Sequence, residues 1–352
     1  MTRKEYMEAL AAALASFRQE SREAALNFYG EMLDDRMEDG VDEETAVAAM
    51  EAPEKIAERL AEEEKGNEAE PEKADGSAYA EKRFSCASKD ISLLRIRAYE
   101  CQVHIAPASD DRITLIYYSC PDDPYHVSCE NGVLALEGSR KEKKRLFSIS
   151  LRMLWDKPHS PGVTALIPAG TLLELDIFSR NASILCEKVS DLAEVALSTQ
   201  NASVAVQDLR CKTLQAETVN ASVRFSRLSV ARGIAAETTN AKIEAENVAA
   251  GTDVSMTTTN GKINLACVSA GGKMILSTSN GNIVLDRPSA AALEAHTSNG
   301  SVKGTLPGKQ QDWQIHSGTS NGKNSLPGHQ PGAKPLSVFT SNGSISLGFE
   351  EM

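Results

Sequence analysis

Between Leu175 and Leu347 the apolar positions return every 19 to 22 residues around a fixed asparagine. The asparagines are Asn181, Asn201, Asn220, Asn240, Asn260, Asn280, Asn299, Asn321 and Asn342, each followed by Gly or Ala. Six positions before each lies an apolar residue, from Leu175 to Leu336, and three positions after it lies Ile or Val in every repeat but one, where Asn324 stands. Two positions before it stands Ser179 and then, without exception, Thr199, Thr218, Thr238, Thr258, Thr278, Thr297, Thr319 and Thr340. Period-two alternation on both sides of the asparagine predicts two short strands per repeat, joined at an asparagine corner. Such a repeat cannot bury its own apolar face, so coils must stack, with strands about 4.8 Å apart.

The expected fold is therefore mainly β: a single-chain parallel β-solenoid of about 20-residue coils. The asparagines should form a ladder, each amide bonded to its equivalent above and below. Asn also tolerates the left-handed backbone that a corner requires, and Gly follows it at 261, 281, 300, 322 and 343. Ala takes that place at 182, 202, 221 and 241, leaving the asparagine to carry the corner there. Fainter copies precede the array. Leu94, Ile96, Val103 and Ile105 keep the spacing around Glu100, and Tyr125, Val127, Leu134 and Leu136 keep it around Asn131-Gly132. The stack should thus start near Ile91, with irregular coils over residues 81–170, an insertion at 139–161 and regular repeats over 171–352. The irregular start should cover one end, and Gly348 to Met352 should weakly blunt the other.

Residues 1–64 follow a different period. Tyr6, Leu10, Leu14 and Phe17 recur at helical spacing behind a Thr2/Glu5 capping box. Ser21 caps a second helix carrying Ala25, Phe28, Tyr29, Leu33 and Met37, with Gly40 as its stop. Asp42 caps a short third helix marked by Val47 and Met50, and Pro53 suits the first turn of a fourth with Ile56, Ala57 and Leu60. The polar stretch after it, 65–80, reads as an acidic flexible linker.

Charge sharpens this division. The net charge is −12, and residues 1–75 carry 22 acidic against 9 basic residues, leaving 27 against 28 for the remainder. The acidity belongs to the helical part. The dense basic run spans only Arg140 to Arg145, which argues against direct DNA or RNA binding. No stretch resembles a secretory leader or approaches the ~18 residues that span a bilayer, so a cytoplasmic location is expected. Residues 141–155 place Lys and Arg before an apolar run ending in Trp155; this suits membrane-surface contact, and its alternation suits a strand of an inserted hairpin better.

Little chemistry stands out. Seven scattered cysteines without a Cys-x-x-Cys pair fit reduced core thiols, and six histidines share no metal-ligand spacing, so no metal or cofactor is expected. The best acid pair is Glu217 with Glu237, three positions before the asparagine on neighbouring coils, and nothing around it supplies a base or a substrate clamp. Lys242 and Lys262 stack likewise, and Thr257, Thr259, Ser277 and Ser279 form a small hydroxyl patch of the kind that could bind glycan or ice.

Two resemblances add to these readings. Phe28-Tyr29-Gly30-Glu31, Asp34-Asp35, Gly40, Glu43-Glu44 and Pro53-Glu54-Lys55-Ile56-Ala57 resemble the HAAS family, a helical signalling domain. That resemblance implies a protein partner, a PadR-type regulator or a membrane protein, with Tyr29, Glu31, Asp34 and Asp35 as a candidate partner surface. The recurrent Thr-Ser-Asn-Gly, as at Thr278 to Gly281, resembles the β-solenoid family labelled "putative adhesin", a domain of unknown function, from Lys89 to the C-terminus. Together they imply a non-enzymatic regulatory or scaffold protein. The alternatives are a cell-surface adhesin-like binder and a carbohydrate-active β-helix enzyme.

Overall fold

A computed structural model describes residues 2–15, 17, 22, 26, 29–30, 33, 42–48, 50–58, 80–119, 124–138 and 162–350. The chain divides into two compact units, one holding the described residues up to 58 and the other those from 80 onward. The insertion at 139–161 and the basic, apolar segment 141–155 lie outside the described residues.

The N-terminal unit is helical because its caps and apolar spacing agree. Thr2 accepts from the Glu5 backbone at 3.2 Å while the Glu5 carboxylate accepts from the Thr2 backbone at 2.8 Å, closing the capping box on helix α1 (Arg3–Ala13). Asp42 starts helix α2 (Glu43–Ala48), accepting from the Thr45 backbone at 3.0 Å and its hydroxyl at 2.6 Å. Pro53 occupies the first position of the helical residues 53–58, where its missing N–H costs nothing. Tyr6, Leu10, Leu14, Tyr29, Leu33, Val47 and Ile56 form one buried core, and the Tyr6 hydroxyl donates to the Glu51 carbonyl at 2.7 Å. Tyr29 is thus a core residue and not part of an exposed partner surface, because its ring is worth more inside than in water. Glu31, Asp34 and Asp35 lie outside the described residues.

The second unit is a parallel solenoid. Strands before the asparagine stack in strict register, as Val254–Thr257 pairs with Met274–Ser277, and strands after it do the same, as Ile243 pairs with Ile263. The coils of Asn201, Asn220, Asn240 and Asn260 have a third strand that the sequence reading missed. Val248 and Ala250 pair with Val268 and Ala270, all buried, eight and ten positions past the asparagine. The coil is three-sided. Inward residues fall at odd positions after the asparagine, such as Ile263 and Leu265, and then at even ones, Val268 and Ala270. The residue between, at position seven, adopts positive φ and takes up the extra position: Lys188, Asp208, Arg227, Asn247, Cys267 and Arg287 all do so, with φ of 49 to 56°. Each such corner costs about 1 kcal/mol, which the burial of the third strand offsets.

The ladder asparagines themselves are not left-handed, contrary to expectation, and neither are the glycines beside them. Those glycines answer to close stacking. A Cβ on Gly261, Gly281, Gly300 or Gly343 would lie 1.7 to 1.8 Å from the carbonyl oxygen of the coil beneath. Asn131-Gly132 is a further correction. With φ of 52 and 78° it is a two-residue hairpin turn between the antiparallel strands Tyr125–Glu130 and Val133–Gly138, as Asn-Gly between alternating apolar runs favours.

The ends depart most from sequence order. Leu93–Ala98 lies between Val133–Gly138 and Glu174–Ser179, so a later segment stacks outside the first coil. Val163–Ile167 returns to the stack on Val103–Pro107, and Arg112–Ser119 and then Ala80–Ala87 close this end as antiparallel strands. Glu81, Lys82 and Arg83 charge the outermost strand, which discourages edge pairing. At the other end Lys334–Thr340 lies between Ala292–His296 and Trp313–Thr319. The C-terminal coil is therefore intercalated, and the coil before it in sequence is the terminal one. That coil, with Trp313 and Leu326 buried, caps the stack in place of the chain end.

The threonines two positions before the asparagine hold the coils together from inside. Thr278 is 5 % exposed; its hydroxyl donates to the Gly261 carbonyl at 3.0 Å and accepts from the Gly281 backbone at 3.2 Å. Thr297 and Thr340 repeat both bonds, while Thr199, Thr218, Thr238 and Thr258 donate to Ala182, Ala202, Ala221 and Ala241. Thr319 donates to Gly343 at 2.8 Å. Thr278→Val keeps the shape and orphans a buried carbonyl and a buried N–H, so a loss of about 1–3 kcal/mol is expected in the denaturant midpoint.

Candidate functional site

The asparagine corner is a continuous chain of hydrogen bonds. Asn201 donates its side-chain nitrogen to Asn181 at 2.6 Å, and Asn220, Asn240, Asn260, Asn280 and Asn299 each donate to the asparagine before them at 2.6 to 2.7 Å. The chain then follows the stacking order. Asn342 donates to Asn299 and Asn321 donates to Asn342, both at 2.7 Å. At the opposite end Asn181 donates to the Glu100 carboxylate at 2.8 Å. The amides sit at the surface, so Asn260→Leu, which breaks two rungs, should cost about 1–2 kcal/mol by thermal or urea denaturation. Lys262→Ala beside it should stay within ~0.5 kcal/mol.

Outside this corner the columns vary. Four and six positions after the asparagine the side chains point outward and line a shallow groove of about 540 Å³, with Gln207, Arg224, Glu244, Asn264 and Asp286 among its walls. Arg224 and Lys242 both contact Glu244, at 3.0 Å each. Burial pushes the Glu244 carboxyl up, and the bonds from Lys242 and Arg224 outweigh it, holding it below its ordinary value. Beside the groove Glu187 accepts from Gln207 at 2.6 Å and lies 2.9 Å from His104 Nε2; the Gln207 bond first, then His104, keeps its carboxyl low. No repeated residue type marks these columns, which is why pattern reading did not find the groove.

Nearer the start of the stack, Asp176 contacts Arg97 and, at 3.2 Å, Arg95. Burial pushes its carboxyl up, and Arg97 and Arg95 together overcome this and hold it below the ordinary range. A carboxyl lowered in the fold stabilises above its unfolded value and stops doing so as pH falls through its folded one. The stability difference between wild type and Asp176→Asn should therefore be constant at neutral pH and shrink below about pH 4, which urea titrations at stepped pH will show.

Glu217 and Glu237 are direct register partners on adjacent strands, both exposed, flanked by Ser198 and Thr257 in the same column. Among the described residues neither is in an ion pair, and no base or clamp converges on them. Buried Cys186 and Cys211 have thiols pushed up to about 12, Cys186 by burial and by Cys211 and Glu187, Cys211 by burial alone. They are unreactive core fillers. Among the described residues no group of three or more His, Cys, Asp or Glu is placed to hold a metal ion, and no helix is long and apolar enough to cross a membrane.

Residues 91–348 match the sequence profile of the Toastrack DUF4097 family, and residues 5–59 match that of HAAS. No curated protein matches the chain. Similar solved structures include a "putative adhesin" from Bacteroides fragilis NCTC 9343, with 12 % identity and a TM-score of 0.37, over 78 % of this chain and 99 % of that one. Another is a "putative cell adhesion protein" from Clostridium sporogenes ATCC 15579, at 10 % identity and a TM-score of 0.19, over 78 % of this chain and 100 % of that one. Likeness at these scores carries no functional argument.

Proposed function

Since the chain belongs to the Toastrack DUF4097 family and carries a HAAS domain at its N-terminus, we propose that it is a non-enzymatic, two-part regulatory scaffold. The helical domain docks on a signalling partner, of which a PadR-type regulator or a membrane protein is the class that HAAS implies. The solenoid supplies a rigid binding face. The observation that carries this reading is the contrast between its columns. Interior and corner positions repeat coil after coil, while the groove of Gln207, Arg224, Glu244, Asn264 and Asp286 mixes charges and amides that no folding requirement dictates.

Crosslinking followed by capture from native lysate, with the full chain and with a chain lacking residues 1–64, tests the reading. A transcriptional regulator or membrane protein recovered by the full chain and lost with the deletion is the expected result. Equal recovery by both chains would remove the docking role of the helical domain. Loss of a glycan-cleaving activity in Glu217→Gln would instead support the enzymatic alternative.

A further inference from the structure

The intercalated end of the solenoid brings together two histidines that no sequence spacing links. His316, on the terminal strand Trp313–Thr319, and His329, on the short strand that caps it, are direct antiparallel partners. The next pair, Ser317 and Gly328, is joined by a backbone hydrogen bond at 3.1 Å. Antiparallel pairs alternate, so His316 and His329 form a pair without backbone bonds between them. At such a pair the Cα atoms approach to about 4.5 Å and the side chains stand close on one face. Both residues line the same open cavity of about 410 Å³, together with Gln314 and Ser337. Phe339 meets the His316 ring edge-on, with centroids 4.9 Å apart, which limits the orientations that ring adopts.

Two imidazoles held side by side across a strand pair can each reach one metal ion at about 2.0–2.1 Å. We propose that His316 and His329 form a chelating site for a divalent transition-metal ion of the zinc class. With two protein ligands, water fills the remaining positions and the site is open. Glu294 is not a third ligand, because it lies two strands from His316 and pairs with Lys273 at 2.8 Å. His329 adjoins Gln330, whose side chain donates to the Trp313 carbonyl at 3.2 Å, so a bound metal fastens this short strand to the last coil.

Titration of the untagged full chain with zinc chloride, followed by calorimetry and by the thermal midpoint, tests the site. One ion per chain, a raised midpoint, and affinity at least ~10-fold weaker in either His316→Asn or His329→Asn are expected. His126→Asn should bind as wild type does. Imidazole resonances of the unmodified chain give a readout that needs no variant: two histidines should shift together on adding zinc. Binding that is equal in wild type and the double variant, or shifts confined to other histidines, would overturn the proposal.

Discussion

Deleting residues 331–352 is expected to unfold the terminal coil as well, not merely to shorten the solenoid by one coil. In a stack that follows chain order, loss of the final coil removes one neighbour interface. Here Lys334–Thr340 separates Ala292–His296 from Trp313–Thr319, and Ile345–Glu350 covers Val302–Pro307. The deletion strips Leu336, Val338, Ile345 and Leu347 from the interior, each contributing about 1.5–3 kcal/mol. It also breaks the asparagine chain between Asn299 and Asn321. The coil carrying Trp313 then has no seat. Limited proteolysis should cut residues 309–330 readily while 174–290 stays protected. Replacing only 313–330 by a Gly-Ser linker should be milder, because it removes the outermost coil alone. Unchanged protection and an unchanged midpoint in the truncated chain would mean that the coils stack in sequence order.

A single methyl at Gly281 should come next in severity. Its Cβ would fall 1.7 Å from the Gly261 oxygen, 2.3 Å from the Gly261 carbonyl carbon and 2.8 Å from the Lys262 nitrogen, all backbone atoms. No side chain can swing away, so two coils must part, and the Thr278 hydroxyl loses its bonds to Gly261 and Gly281. Gly281→Ala should cost about 3 kcal/mol or more, read from the urea midpoint. Gly348→Ala, where a Cβ meets nothing within 4 Å, should be neutral to within ~0.5 kcal/mol. The Ala at 182, 202, 221 and 241 does not soften this expectation, since the corner N–H to threonine bond joins Gly261, Gly281, Gly300, Gly322 and Gly343.

What could be read from sequence was whatever repeats. The apolar columns, the inward threonines and the asparagines all do, because every coil imposes the same burial and the same corner. The third strand escaped because the left-handed residue before it is Lys, Asp, Arg, Asn, Cys or Arg in turn, and because it shifts the alternation from odd to even. The stacking order escaped for the opposite reason. The repeats around Asn299, Asn321 and Asn342 carry the same Thr-Ser-Asn-Gly and fit one another in either arrangement. One signal was present. Asn324 and Ser317 put polar groups at two inward positions of one coil, and they satisfy each other at 2.9 Å with Leu326 and Pro327 closing over them. A coil with a polar interior belongs at an end. The groove and the histidine pair were beyond reach, since outward positions answer to no common constraint.

Glu100 occupies the rung where the repeat would place an asparagine. A carboxylate accepts and does not donate, so Asn181 must turn its nitrogen toward it, and every later asparagine must turn the same way. The amides therefore cannot cancel: each contributes a peptide-like dipole of about 3.5 D, summed along the whole corner. The solenoid edge is polarised by a single residue, with its positive pole held against Glu100 and its negative pole, the Asn321 oxygen, presented at the capped end.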